Sequence, residues 1–417
     1  MIRMTRKTNL EKYVFFSIMV IRYLLPSYFT DRLGSSILNP MAIFSIALML
    51  YYIFSNKISY QNKGRKLLYL IIICYVTSIL TTYIHGENLQ LALINGIYII
   101  IECWFLVHLL EKKTDVDVFL HVVRDVTLVF VLINLGYGII NPQGIPDYNS
   151  LSAISKFIYG NVNSTTRYVM PGLCSSLLID LKQNKRFSFK SAIFFISFGY
   201  FCFRIYFMAT SFVGYLFLLA WILFSKFISS KYKKVYLAII IAVTIIETFI
   251  VFLFGQSQLA TYITSLFSMK SGFSGREDLW ARAIYSIQQS PYFGNGVLIP
   301  DKMLYIIGNK YGSHNYYLDV MFQRGIIGFI PVVALILLPL SSKAKKLTNE
   351  TYVMLGVCAS YLIMFLMEPF IGTEMLHIPI FFATMYLIKF KHDEVLGSNS
   401  LSHEKRNRME MNQLHEN

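Results

Sequence analysis

"KYKKVYLAIIIAVTIIETFIVFLF", residues 231–254, decides the fold. From Val235 onward it is an apolar run of the length that a helix needs to cross a bilayer about 30 Å thick, and three lysines stand before it. Runs of this kind recur along the chain near 13–29, 37–54, 67–84, 91–110, 118–140, 168–180, 190–208, 211–228, 235–254, 325–340, 351–367 and 375–390. They predict an all-α, polytopic membrane protein of about 12 transmembrane helices. Composition agrees: 55% hydrophobic residues, 15% charged residues and a mean hydropathy of +0.52 would leave a soluble globule with large exposed apolar patches. The 168–180 run is short and holds Pro171 and Gly172, which suit a tilted, kinked or re-entrant segment.

The net charge of +15 is not the mark of a nucleic-acid partner, because no basic cluster sits on a soluble binding module. It reads as topology. With the N-terminus inside, 26 of the 38 Lys and Arg fall on cytoplasmic segments, as short inside loops require. Both termini are then cytoplasmic, and the basic N-terminus leads a first span rather than a cleaved signal. The chain divides into helices over 1–254, an extracytoplasmic loop with an amphipathic helix over 255–324, helices over 325–390 and a polar, disordered tail over 391–417. The five cysteines lie in apolar runs without CxxC spacing, so neither a disulfide framework nor a zinc site is expected.

The long loop carries the chemistry. In "SGREDLWARAIYSIQQSPYFGNG", residues 274–296, Ser274 followed by Glu277 forms a capping box. Leu279, Trp280, Ala283, Ile284 and Ile287 then make one apolar face, with Glu277, Asp278, Arg282, Ser286 and Gln289 turned away. Pro291 stops the helix, and Gly294 and Gly296 allow a tight exit. Arg276 falls in the first turn, where the free N–H groups favour an anion; either an anion joins it there or it pairs with Glu277 or Asp278. In "GSHNYYLDVMFQRGIIGFI", residues 312–330, Ser313 caps a helix with His314 in its first turn, where the positive dipole end disfavours imidazolium. A neutral imidazole there can take a proton from an attacking hydroxyl; the alternative is an interfacial histidine packed beside Tyr316 and Tyr317. No second histidine stands at a metal-ligand spacing, and no cofactor is expected.

Arg167 follows "NVNSTT" at the mouth of the sixth run, and Arg22 and Arg204 lie in the outer halves of the first and seventh. Each costs roughly 2–3 kcal/mol in the membrane unless it snorkels or faces a polar cavity. Together Arg22, Arg167, Arg204, Arg276 and Arg282 suit a lipid-linked diphosphate, whose oxygens a guanidinium grips with two donors.

The order of these features resembles one family. A Gly-Arg with Trp280 four residues on, a Pro-x-x-Gly-x-Gly turn, and His314-Asn315 before a Gly-x-x-Gly at a span head look like the shared region, over 272–330, of the O-antigen ligase and Wzy-type polysaccharide polymerase family. Two stretches depart from its pattern. "MATSFVGYL", residues 208–216, lacks the arginine usual at the eighth span, and "RYVMPGLCSS", residues 167–176, matches only loosely.

The resemblance implies a metal-independent glycosyltransferase at the outer face of the bacterial cytoplasmic membrane. Its donor and acceptor are oligosaccharides linked to undecaprenyl diphosphate, and a flippase and chain-length regulator act beside it. His314 would assist the acceptor hydroxyl, with Asn315 beside it, and Arg276 and Arg167 would bind diphosphate. Polymerase is the expected activity. A ligase handing a finished glycan to another acceptor shares the donor site, and a flippase is the rival from another class, although the paired broken segments of transporters are not evident. A purely structural membrane partner leaves the outer arginines unexplained.

Overall fold

The computed structural model describes residues 2–56, 62–110, 112–145, 156–161, 165–183, 187–205, 208–224, 228, 230–255, 276–341 and 349–368. Within them the chain is helical apart from one two-residue antiparallel pair, β1 (Lys156–Phe157) with β2 (Gly160–Asn161). The helices are α1 (Ile2–Leu24), α2 (Ser27–Ser55), α3 (Asn62–Ile84), α4 (Leu89–Leu110), α5 (Lys113–Ile140), α6 (Thr165–Gln183), α7 (Phe189–Tyr200, continued by a π-helical turn, Phe201–Ile205) and α8 (Ala209–Leu223). After them come α9 (Tyr232–Gly255), α10 (Arg276–Gln289), α11 (Pro300–Ile307), α12 (Tyr316–Leu337) and α13 (Asn349–Met364). Among the described residues five stretches, Ser27–Ser55, Leu67–Ile84, Leu89–Leu110, Tyr232–Leu253 and Tyr316–Ser341, are long and apolar enough to cross a bilayer, so the chain is a polytopic α-helical membrane protein. Of the predicted runs, 375–390 lies outside the described residues, as does the tail; each of the others falls at least in part on a described helix. The count of twelve and the outside placement of 255–324 rest on the sequence pattern.

Three boundaries differ from expectation. The first run breaks at Leu25 and Pro26, because proline has no N–H to continue the ladder, and α2 begins directly after it. The short 168–180 run belongs to a continuous helix, α6, about 28 Å long at 1.5 Å per residue. From Thr165 to Asp180 only Arg167 escapes burial, so α6 is a central helix whose small and polar residues face protein rather than lipid. The tenth span begins at Tyr316 instead of Gly325.

Gly325 is instead a kink inside α12, with φ +58. A kink there frees N–H groups, and the turn after α10 accepts them: Ile326 N–H donates to Pro291 O at 2.9 Å and Ile327 N–H to Tyr292 O at 3.3 Å. A Cβ at Gly325 would come within 2.2 Å of Tyr292 O, so only glycine lets the turn seat. Asn295 N–H and Gly296 N–H donate back to Phe322 O at 2.7 Å and Gln323 O at 2.9 Å. The Pro-x-x-Gly-x-Gly turn is thus a brace that joins the loop to the head of α12.

The described part of the loop is folded. Trp280, Ala283 and Ile284 of α10 are buried with Leu298, with Met303 and Ile307 of α11, with Leu318 and Phe322 of α12, and with Ile250 and Leu253 of α9. The predicted apolar face is therefore the one that packs. Ser286, expected to turn away, is buried at 8% exposure, because α10 is covered on two sides. At the opposite end of the bundle stand the ion pairs Lys12–Asp115 at 2.6 Å, Lys182–Asp117 at 2.6 Å and Lys190–Asp125 at 2.9 Å. One end thus carries basic residues tied to α5, and the other carries the loop. Large exposed apolar residues such as Ile245, Phe249 and Phe252 of α9 are the surface that acyl chains would cover.

Candidate functional site

The loop, the head of α12 and the end of α13 meet in one polar cluster. Tyr316 N–H donates to Phe365 O at 2.9 Å, which fixes the start of α12 against the end of α13. Arg276, first residue of α10, donates from Nη1 to Met367 O at 2.7 Å and from Nη2 to Glu368 Oε1 at 2.7 Å. The other oxygen of that carboxylate, Oε2, lies 3.3 Å from His314 Nδ1. One glutamate therefore joins the loop arginine to the loop histidine. Both sides of the Arg276–Glu368 pair are largely shielded, at 18% and 14% exposure, so the pair is screened less than a surface ion pair. Arg276 thus takes Glu368 as its partner carboxylate, and not its neighbours Glu277 or Asp278; Ser274 lies outside the described residues.

His314 does not stand in the first helical turn as expected. Asn315 takes the cap, because its Oδ1 reaches two free N–H groups, those of Tyr317 at 2.9 Å and Leu318 at 3.1 Å. Ser313, the expected cap, is bound elsewhere: its hydroxyl donates to Asn315 O at 3.2 Å, and its own N–H donates to Asp319 Oδ1 at 2.8 Å. His314 precedes the cap and adopts φ 59, the one positive φ at a non-glycine residue among those described. A non-glycine residue in this region costs free energy, and it persists where its surroundings over-determine it. Here they do: Ser313, Asn315 and Asp319 are all fully buried. Gly312, at φ +96, lets the Asp319 carboxylate come within 2.7 Å of where a Cβ would stand. The histidine ring itself is 27% exposed. A second contact reaches it from Asn309, whose Nδ2 is 2.9 Å from His314 Nε2.

The structure thus gathers Arg276, His314 and Asn315. Four residues that sequence reasoning did not single out join them: Glu368, Asn309, Asp319 and Glu247, whose Oε2 accepts from Asn315 Nδ2 at 2.8 Å. Two of these had a signal available. Glu247 is an acid inside an apolar run, a functional hypothesis by default, and Glu368 is the acid on which the 351–367 run ends.

The other arginines are placed separately. Arg22 donates from Nε to Leu38 O at 3.3 Å and so binds the backbone of α2. Arg167, in the first turn of α6, has its guanidinium 4.9 Å from the centre of the Tyr168 ring. Beside it Thr166 donates to Ser211 Oγ of α8 at 2.6 Å. Arg204 is exposed on the π-helical turn, and Arg282 is exposed on α10. Among the described residues no three His, Cys, Asp or Glu side chains stand together as a metal site, and all five cysteines are free and buried. The cluster holds a ring nitrogen, carboxylates and a two-donor cation at the rim of a bundle, which can move a proton and neutralise an anion.

A stretch of 113 residues is 26% identical to an uncharacterized protein of Haemophilus influenzae, covering 25% of this chain and 28% of that protein. The chain thus spans well under half the length of that relative. Residues 172–333, which run from α6 to α12 and include Arg276, His314 and Asn315, match the O-antigen ligase family, Wzy_C. Over that segment the chain is similar to the O-antigen ligase family.

Proposed function

We propose that this protein is a polysaccharide polymerase that joins undecaprenyl-diphosphate-linked repeat units at the outer face of the bacterial cytoplasmic membrane. The observation that carries the reading is the coupling, through Glu368 at the loop end of the bundle, of Arg276 and His314, both of which lie inside the segment that matches the family. In the proposed step the acceptor hydroxyl oxygen attacks the anomeric carbon of the donor, and the bond from that carbon to the diphosphate oxygen breaks with its electron pair going to the diphosphate. The hydroxyl proton passes to His314, whose ring is half-buried and within reach of solvent.

Arg276 uses two of its donors on Met367 and Glu368, and its remaining donors face the task of neutralising the diphosphate. Arg167, at the N-terminus of α6, and Arg22, Arg204 and Arg282 supply positive charge at the same end and draw the lipid-linked anion there. The donor and acceptor lipids reach the site from the bilayer, and a flippase and chain-length regulator are its expected neighbours.

A ligase shares all of these features and differs only in its acceptor. Glycan analysis of a deletion strain separates the readings. Single capped repeat units are the expected result. Long chains left unattached would make the protein a ligase, and units trapped inside the cell would make it a flippase.

A further inference from the structure

Glu368 and Asn309 contact opposite nitrogens of one imidazole, and the partners of each contact decide which nitrogen carries the proton. On the Nδ1 side stands a carboxylate, which at neutral pH only accepts. On the Nε2 side stands the Asn309 amide. Its orientation is fixed from behind, because Tyr311 N–H donates to Asn309 Oδ1 at 2.8 Å, so the NH2 group faces His314 at 2.9 Å and the ring must accept there. Both contacts require the proton on Nδ1 and the lone pair on Nε2.

We infer that Glu368 is the positioning residue for His314: it fixes the tautomer with the proton on Nδ1, so that Nε2 is the atom that receives the acceptor's proton, and Asn309 holds that hydroxyl's place before substrate arrives. The inference rests on the proposed function for the reaction it serves. The geometry has a further consequence. Arg276 is a pure donor, so it holds Glu368 Oε1 and leaves Oε2 for the ring. When the proton arrives at Nε2, the Glu368 charge stands against the imidazolium at Nδ1 and stabilises it. Other titratable groups near the ring are Asp319 of α12 and, through Asn315, Glu247 of α9; neither hydrogen-bonds to the ring.

The Arg276 contact makes the test sharp. In the Glu368→Gln variant the amide oxygen faces Arg276, because that guanidinium cannot accept. The amide NH2 then faces His314 Nδ1, which gives up its proton to Nε2, and the Asn309 amide turns its Oδ1 to the ring, leaving the exposed Tyr311 N–H to water. The variant keeps shape and volume while inverting the tautomer, and Glu368→Asp keeps two acceptor oxygens.

The full-length protein, labelled with 15N-histidine in nanodiscs, reports the tautomer directly. His314 is assigned by its loss from the spectrum of the His314→Asn variant. The expected result is a protonated Nδ1 in wild type and Glu368→Asp, and a protonated Nε2 in Glu368→Gln. In Glu368→Gln, kcat for joining lipid-linked repeat units should fall about 100- to 10,000-fold with KM changed only a few-fold. A protonated Nδ1 in Glu368→Gln, or a wild-type kcat with the tautomer inverted, overturns the inference. If instead the tautomer inverts as expected while His314→Ala still joins units, Glu368 keeps its place and the role of His314 as base fails.

Discussion

Arg276 is the residue on which a conservative change is most informative. Its guanidinium forks between Met367 O and Glu368 Oε1, each at 2.7 Å, from a site only 18% exposed. Arg276→Lys keeps the charge, but an ammonium is a point donor and cannot hold both directions of the fork. A hydrogen bond involving a charged group contributes about 1.5–3 kcal/mol, so one lost arm corresponds to roughly a ten- to hundredfold change. If the arm matters to the anion or to the placement of Glu368, that factor appears in the rate at which purified protein joins lipid-linked repeat units. If Arg276 only ties α10 to the end of α13, it appears in the thermal midpoint and the rate survives. Both quantities are measured on the same preparation at matched protein level. A rate within about twofold of wild type for Arg276→Lys would refute the assignment of this arginine to the reaction.

Trp280→Ala empties a fully buried site between α9, α10 and α12, and should cost about 3–5 kcal/mol, read as a large fall in the thermal midpoint of the detergent-solubilised protein; an unchanged midpoint means that the loop is not docked as described. Gly325→Ala should abolish accumulation of folded protein, because its Cβ meets Tyr292 O, whereas Gly136→Ala, with nothing within 4 Å, should be tolerated; equal membrane levels of the two would contradict the brace. Lys310→Cys, at a side chain 52% exposed, should react with a membrane-impermeant maleimide in intact cells whose outer barrier is removed, and labelling only after permeabilisation would reverse the topology.

Much of the fold was legible because its causes are local. Long apolar runs, lysines at one end and an amphipathic stretch each leave a mark within a few residues, and α9, α10 and α12 follow from them. The start of α12 was not, since Gly325 looked like a span head while the helix continues through it; the turn at Pro291–Gly296 satisfies the freed N–H groups, and that pairing joins segments some thirty positions apart. In the site, Arg276 and His314 could be named from their motifs. Glu368 could not be joined to them, because it lies 92 residues from Arg276 and 54 from His314, and periodicity says nothing about which helix end comes to meet a loop. The exchange of cap between Ser313 and Asn315 was also out of reach, since either residue type caps well and only the buried Asp319 decides which one is free to do so.

The central claim is that His314 takes the acceptor's proton during chain growth. The direct measurement is the rate at which purified His314→Ala protein, with wild-type secondary structure and thermal midpoint, joins lipid-linked repeat units supplied in detergent or nanodiscs. General-base help is typically worth a factor of about 100 to 10,000, so the variant should form almost no product longer than a single unit while wild type forms a ladder. A ladder of near wild-type length and rate from the folded variant would contradict the account and leave the arginines as the main catalytic charge.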